Sequence, residues 1–312
     1  MEYAWIKSDP ACPDKVKQLA KEVKISPLIA SLLVQRGVST YAEAERFFRP
    51  KLSHVNDPFL FTHMREAVEV LNQAIADKKR IRLFGDYDVD GTTAVAIVMN
   101  ALRNRVDFID YYIPDRYKEG YGISERGVRH AAESGFSLVI ALDCGIKSMD
   151  KVELASALGV DFIICDHHTP GDELPKAVAV LDPKRLDCNY PYKELSGCGV
   201  GFKLIQAYAK SQQLEESSLY SYLDLVVVSI AADIVPITGE NRILAYYGLD
   251  RINNTTRPGL KALMLLSKME KDIQISDIVF KIGPRINASG RLEHAKASVA
   301  LLIAPNLDEA IE

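Results

Sequence analysis

Ile81-Arg-Leu-Phe84 is a short, β-like run that passes directly into Gly85-Asp-Tyr-Asp-Val-Asp-Gly91. Three carboxylates at alternate positions repel one another unless a cation sits among them. The spacing also matches the first half of a calcium EF-hand loop. That reading fails twice. Counted from Asp86, position twelve is Ile97, where a bidentate Glu is required, and the preceding segment has strand rather than helix character. The segment is a strand that ends in an acidic turn.

The surrounding pattern extends this unit. Before it, Met64–Lys78 places Val68, Leu71 and Ile75 at helical spacing; after it, Thr92–Leu102 carries Ala94, Ile97, Val98 and Leu102 on one side. Phe108–Ile113, Leu138–Leu142, Phe162–Cys165 and Ala177–Leu181 read as strands, and Ser124–Ser134 and Lys151–Leu158 as helices. Strands alternating with helices imply βαβ units and a parallel sheet. Apolar strands without polar alternation imply that both faces are covered. After about Pro191 the rhythm changes. Gly197–Ala209, Leu219–Ala232, Arg242–Asn253 and Pro258–Leu266 look helical, although the apolar run Leu225–Ala232 fits either state. The expected fold is α/β, a parallel β-sheet flanked by helices, with a mainly helical extension. The expected domains are a helical segment over 1–55 and a second domain over 56–312, with its α/β core at about 56–190 and a helical remainder at 191–312. In the first segment, Ser39-Thr-Tyr-Ala-Glu43 offers a helix start and Pro50 a stop.

Two further acidic motifs, Leu142-Asp-Cys-Gly145 and Cys165-Asp-His-His168, each follow a strand directly. In an open parallel sheet, ligands bind outside the carboxyl ends of the strands. Three such motifs would therefore converge on one crevice. One Asp after a strand is usually a cap or turn residue; five aspartates and two histidines at three strand ends exceed what caps require. Carboxylate and imidazole donors suit manganese, iron or magnesium better than a thiolate-seeking metal. Two ions roughly 3.5–4 Å apart can activate a water and stabilise the leaving oxygen in an in-line attack on phosphorus. Neither a Walker A loop, a G-x-G-x-x-G fingerprint nor a nucleophile elbow occurs.

Composition narrows the class. The 312 residues are 48% hydrophobic and 26% charged, values typical of a soluble globular chain. The longest apolar stretches are too short to span a bilayer. The N-terminus carries Glu2, Asp9 and Asp14 instead of a basic-then-apolar leader, which points to the cytoplasm. Five cysteines, Cys12, Cys144, Cys165, Cys188 and Cys198, are an odd number without finger spacing, as expected of reduced thiols in an intracellular protein. Cys144 and Cys165 read as packing residues. With a net charge of -4, a polyanionic substrate must be held locally, by a basic patch or by metal ions. The chain ends inside a helix beginning near Asn306, so a truncated chain is expected.

Asp166-His-His168 is the namesake motif of the DHH phosphoesterase family. Together with Gly85–Gly91, Asp143–Gly145 and Ala232-Asp-Ile-Val-Pro236, it resembles that family's motifs in their order. Pro114-Asp-Arg-Tyr-Lys-Glu-Gly-Tyr-Gly122, Ser196-Gly-Cys-Gly-Val-Gly-Phe-Lys203 and Gly283-Pro-Arg-Ile-Asn-Ala-Ser-Gly-Arg291 resemble its bacterial exonuclease branch in particular. The resemblance covers about Phe47 to Arg291. It implies a DHH fold and a metal-dependent 5′→3′ exonuclease that hydrolyses phosphodiester bonds of single-stranded DNA in DNA repair and recombination. The alternative it leaves open is a phosphodiesterase acting on short oligonucleotides or cyclic dinucleotides. A catalytically dead scaffold should have lost acidic ligands that this chain retains.

The resemblance also implies roles. Asp88, Asp90, Asp143, His167 and Asp233 are the expected ligands of two divalent ions, Mn2+ ahead of Mg2+, with Asp143 bridging. Asp86, Asp166 and His168 are expected to orient those ligands or touch the phosphate, His168 counting among the catalytic residues. Many members carry a metal-binding His where this chain has Phe84, which leaves one ion a ligand short. By the resemblance, the family's second domain and OB-fold are expected to be absent from this chain. The implied partners are single-stranded DNA and, in the full-length protein, a single-strand-binding protein and a helicase, with no membrane.

Arg285 and Arg291 bracket Asn287 in a turn-like stretch with Gly283, Pro284 and Gly290, within a locally basic segment. Alone these residues read as a loop with solvated arginines; with the resemblance they become contacts to substrate phosphates. Arg116 and Lys118 take the same role, and Tyr117 and Tyr121 are candidates for stacking on bases. Gly197, Gly199 and Gly201 either open a helix N-terminus to a phosphate or permit close packing. His54, His63, His130 and His294 are isolated and read as ordinary surface or core residues.

Overall fold

A computed structural model describes residues 9–269, 272–292 and 295–312, the side chains of 289–292 and 295 excepted. The chain divides into two compact units, Met1–Val55 and Asn56–Glu312. The first contains α1 (Pro13–Val23), α2 (Pro27–Gln35) and α3 (Tyr41–Phe48). Proline opens α1 and α2, where its missing N–H is not needed. Thr40 and Glu43 form a reciprocal capping box at the start of α3, the signal carried by Ser39–Glu43. Leu19, Ala30, Leu33, Val38 and Ala44 make this unit's core.

In the second unit, α4 (Met64–Ala76) leads into β1 (Ile81–Gly85), α5 (Val89–Leu102), β2 (Ile109–Tyr112), α6 (Glu125–Glu133), β3 (Leu138–Leu142), α7 (Met149–Ala157), β4 (Asp161–Cys165) and β5 (Ala179–Leu181). The five strands are all parallel and lie in the order β2-β1-β3-β4-β5. β1 and β3 are buried along their whole length, as their unbroken apolar character requires.

Register explains how separate motifs meet. Gly85 pairs with Leu142, Leu142 with Cys165, and Cys165 with Leu181. The next residue on each strand is therefore level with the others, and all four are aspartates: Asp86, Asp143, Asp166 and Asp182. The chain winds outward in opposite directions from β1 and β3, so their carboxyl ends form the topological switch point, where open α/β sheets bind ligands.

The remaining helices are α8 (Gly197–Ser211), α9 (Leu223–Ala232), α10 (Gly239–Asn253), α11 (Pro258–Leu266) and α12 (Ile275–Asp277), which continues through a π-helical turn (Ile278–Ile282) into α13 (Gly283–Leu292), then α14 (Ala295–Ile303) and α15 (Leu307–Ile311). α8 and α9 pack against α5. Two sequence-based readings shift for physical reasons, and one left open is settled. α5 begins at Val89, earlier than its periodicity implies, because Asp88 caps it by accepting from the Gly91 N–H at 3.0 Å. The ambiguous run Leu225–Ala232 is helical. The stretch expected to be turn-like, Gly283–Arg291, is the helix α13: Gly283 and Pro284 occupy its first turn, where proline is tolerated. Among the described residues, no helix is long and apolar enough to cross a membrane.

A buried ion pair locks α8 to α10. Lys203 Nζ lies 2.5 Å from Glu240 Oε1, both side chains being at most 1% exposed. Lys203 also donates to the Asn56 carbonyl (2.8 Å) and to Gln206 Oε1 (2.9 Å), and Glu240 accepts from the Tyr190 hydroxyl (2.7 Å) and the Asn56 amide (2.8 Å). Lys203→Met leaves Glu240 as an unpaired buried charge. It should cost about 3–5 kcal/mol of stability in urea unfolding; a loss below about 1 kcal/mol would show that the network does not anchor these helices.

Candidate metal centre

The centre assembles at the switch point, from the turn after β1 outward. Asp86 is buried, and its Oδ1 has no hydrogen-bond partner. Asp88 caps α5. Asp90 lies in the first turn of α5, buried against the start of α8. Its Oδ2 accepts from the Gly197 N–H (2.6 Å), and its Oδ1 from the Cys198 N–H (2.8 Å) and the Ser229 hydroxyl (2.6 Å). The positive end of the α8 dipole thus faces a protein carboxylate. Of the two roles considered for the alternating glycines, the N-terminus of α8 is filled by Asp90 rather than left open for a phosphate. Close approach is what they provide. A Cβ on Gly197 would lie 2.5 Å from Asp143 Oδ1, and one on Gly201 3.2 Å from Leu142 Cδ2.

Asp143 takes a left-handed backbone, φ 60°, uncommon for a residue with a side chain. Such strain persists where the surroundings over-determine it. Here the strand bond from its N–H to the Cys165 carbonyl (2.8 Å) and the wall at Gly197 do so. His167 Nε2 lies 3.2 Å from Asp143 Oδ1, 3.5 Å from Asp90 Oδ2 and 3.6 Å from Asp233 Oδ2. Yet neither ring nitrogen of His167 has a hydrogen-bond partner, nor does Asp143 Oδ1. Asp233 ends α9 and comes from outside the sheet.

Asp166 is saturated. Its oxygens accept from the N–H groups of Ile146, His167 and His168 and from His168 Nδ1, at 2.7–3.1 Å. Burial pushes this carboxyl up, but the His168 contact and the backbone N–H groups outweigh it and hold it below its ordinary range. In return, the hydrogen bond to Asp166 raises the His168 pKa, and the other nitrogen of that ring lies 3.1 Å from the Tyr121 hydroxyl.

The donors fall into three overlapping groups, each within 4.8 Å: Asp86, Asp88 and Asp143; Asp143, His167 and His168; and Asp90, His167 and Asp233. Burial, then the Asp88 charge, pushes Asp86 up to about 7, and burial, then Asp90 and Asp88, does the same to Asp233. Asp88 and Asp143 are raised by the same causes, while burial lowers His167. Buried carboxylates with orphaned oxygens beside a neutral imidazole are a donor set that divalent cations complete.

The other residues singled out from sequence are spread more widely. The Arg116 guanidinium lies 5.1 Å from the Tyr87 ring centre, beside the acidic turn, and Tyr87 meets Tyr121 edge-on at 6.2 Å. Tyr117 is exposed, and Lys118 pairs with Asp115 at 3.5 Å. Asn287 Oδ1 accepts from the Val89 N–H (3.2 Å), which ties α13 to the start of α5. Arg285 donates to the Lys281 carbonyl in its own helical segment and lines a groove with Tyr111 and Ala310, apart from the acidic cluster. The Arg291 side chain and His294 lie outside the described residues. Phe84 is buried against Tyr112, and Gly127 leaves the space its ring needs: a Cβ there would lie 2.4 Å from Phe84 Cε2.

Sequence reasoning missed three residues. Ser229, which bonds Asp90, is the lone polar residue of an apolar run. Ser196 caps α8 and touches the Ser229 hydroxyl at 2.6 Å. Asp182 follows β5, is fully buried, and leaves its Oδ2 without a partner. An aspartate directly after the fifth candidate strand, Ala177–Leu181, was the available signal.

The model described as the DHH family, N-terminal domain, matches residues 80–230. The single-stranded-DNA-specific exonuclease RecJ of Bacillus subtilis is 43% identical over 96% of this chain and 37% of that protein. The RecJ of Escherichia coli is 38% identical over 92% of this chain and 51% of that protein. Among solved structures, an exonuclease RecJ bound to manganese has 34% identity and a TM-score of 0.75, over 83% of this chain and 64% of that chain. RecJ of Thermus thermophilus in complex with Mn2+ has 29% identity and a TM-score of 0.80, over 96% of this chain and 42% of that chain. The chain thus spans between about a third and a half of the length of these curated relatives. Ordered motifs, a parallel sheet with its acidic switch point, and these matches agree: residues 80–230 form a DHH-family N-terminal domain.

Proposed function

We propose that this chain is the catalytic part of a metal-dependent 5′→3′ exonuclease that hydrolyses the phosphodiester bonds of single-stranded DNA. The observation that carries the proposal is the set of buried donors without partners, Asp86 Oδ1, Asp143 Oδ1 and His167 Nε2, at the switch point of the sheet. Support for the substrate comes from relatives named as single-stranded-DNA-specific exonucleases. Support for the ions comes from similar structures containing Mn2+ or Mg2+. Direction and strand preference rest on the family resemblance. In the intact protein, the proposed setting is DNA repair and recombination in the cytoplasm, with a single-strand-binding protein and a helicase as partners.

In this reading Asp90, His167 and Asp233 would hold one ion and Asp88 and Asp143 the other, Asp143 standing beside both sets of donors. Asp86, read from sequence as an orienting residue, joins Asp88 and Asp143 as a further donor. When bound, two divalent ions supply an activated water and charge stabilisation for the leaving oxygen. The protein's own groups do the rest. Asp166 fixes the ring of His168, whose raised pKa suits it to hold a phosphate oxygen as a cation. Ser229 and the start of α8 hold the Asp90 carboxylate fixed in direction. Arg116 offers a guanidinium fork at the rim, and Tyr117 and Tyr121 offer rings to the bases.

With Mn2+, the chain should degrade end-labelled single-stranded DNA from its 5′ end and spare duplex DNA. Cleavage of a dinucleotide alone would favour the short-oligonucleotide phosphodiesterase. Asp143→Ala should lower the rate by about a thousandfold or more; full activity in that variant would remove the proposed site.

Ser229→Ala should weaken Mn2+ binding about tenfold in calorimetry, while Ser229→Thr stays close to the parent. Unchanged affinity in the alanine variant would mean that Asp90 needs no such support.

The raised carboxyls set a pH dependence. Asp86 and Asp233 keep their protons up to about 7 in the folded chain but lose them near 3.8 when unfolded. Their stabilising contribution is complete below the lower value and is lost as pH rises through the upper one. Bound metal displaces those protons, so the gain in melting temperature on adding Mn2+ should grow between about pH 5.5 and about pH 8. An equal gain at both would contradict this.

A further inference from the structure

At the opposite end of α5 from the acidic cluster, a helix of 14 residues and hence roughly 20 Å away, two cavities of about 370 and 410 Å³ share Asn100 and Tyr222 in their walls. Arg103, Arg251 and Arg257 line the first, and Arg105 the second. Asp224 is the one carboxylate in either lining, and it is committed. It grips Arg257 Nε and Nη2 at 3.1–3.3 Å, and Arg257 Nη2 also reaches the Ser221 carbonyl. Arg257 is thus a guanidinium oriented by a buried acid. Among the described residues, the side chains of Arg103, Arg105 and Arg251 have neither an ion pair nor a hydrogen bond.

Arginines at helix ends have a plainer use. Arg103 caps the C-terminus of α5 and Arg251 lies in the last turn of α10, where cations offset the helix dipole. That accounts for each singly. It does not account for four guanidiniums, from two helix ends and two loops, gathered around adjoining polar cavities in a chain of net charge -4. Three of them, Arg257, Arg103 and Arg105, act on the Tyr222 phenol, partly offsetting the burial that raises its pKa. Cavities of a few hundred Å³ with a few convergent polar groups are of ligand-binding size.

We propose that these cavities form a second, non-catalytic nucleotide site, in which Arg103, Arg251 and Arg257 receive a phosphate and Tyr222 flanks the base. Arginine is the side chain suited to a phosphate through paired N–H groups. Asn100, Asn254 and Thr255 supply further polar groups in the same wall. The phosphate belongs either to a free mononucleotide or to a nucleotide of a DNA strand. The site stands on its own observations and does not depend on the acidic cluster being catalytic.

The test uses the 312-residue chain carrying Asp143→Ala, in chelator, so that the acidic centre holds no metal. It is titrated with dAMP and with a short 5′-phosphorylated oligo-dT, before and after adding Arg103→Ala and Arg251→Ala together. Both arginines are exposed, so an unchanged melting temperature confirms the fold; Arg257 is left alone because it neutralises Asp224. The expected result is a loss of affinity for dAMP of about tenfold or more. A loss confined to the oligonucleotide supports the site with a DNA strand as its source. Affinities for both probes that are unmoved by the substitutions, or binding of neither probe, would overturn the proposal.

Discussion

Mutual repulsion among buried carboxylates is the constraint on which the rest of this molecule depends. Asp86, Asp88, Asp90, Asp143 and Asp233 share one crevice with His167, and several of their donor atoms have nothing in the protein to bond to. In a low dielectric such a cluster keeps its protons or takes up cations. The fold nevertheless brings the residues together by strand register, which sets Asp86, Asp143 and Asp166 level at the ends of β1, β3 and β4. A one-residue slip of β3 would displace Asp143 by about 3.3 Å and turn its side chain to the other face.

The helical extension acts on this constraint selectively. α8 presents two backbone N–H groups to Asp90 and, through Gly197, a surface flat enough for Asp143 to sit against in its left-handed conformation. α9 adds the Ser229 hydroxyl and places Asp233 at its C-terminal end. The acidic residues therefore divide by their surroundings. Asp166 is saturated with donors and orients His168. Asp90 is held by three donors yet keeps Oδ2 toward His167. Asp86 and Asp143 carry unpartnered oxygens. That division assigns roles which the spacing of aspartates along the chain does not contain.

Legibility in the sequence followed the same line between local and distant effects. Strands β1, β3 and β4 were readable because both faces are buried and their runs stay apolar, and the aspartates after them were visible as motifs. Helix starts marked by Thr40 and Ser124 were readable because capping is local. Asp88 was read as a ligand candidate but not as the cap that starts α5 early. Gly283-Pro284 resembled a turn because glycine and proline usually punctuate, whereas here they sit in the first turn of α13. The glycines of α8 carried no sign of which partner approaches, since Asp90 and Asp143 lie more than fifty residues away. Ser229 stands alone in an apolar run and Asp182 directly follows a strand, and neither position by itself marks a residue of the site. Phe84 was visible as a departure from the family pattern, but its packing partner Gly127 was not.

The central claim is that this crevice holds two ions with Asp143 between them. The most direct measurement is anomalous diffraction from crystals of the chain soaked in Mn2+. The account predicts two peaks roughly 3.5–4 Å apart, one among Asp90, His167 and Asp233 and the other beside Asp88 and Asp86, both within reach of Asp143. Ordered protein with no peak in the crevice, or with ions bound away from Asp143, would contradict it.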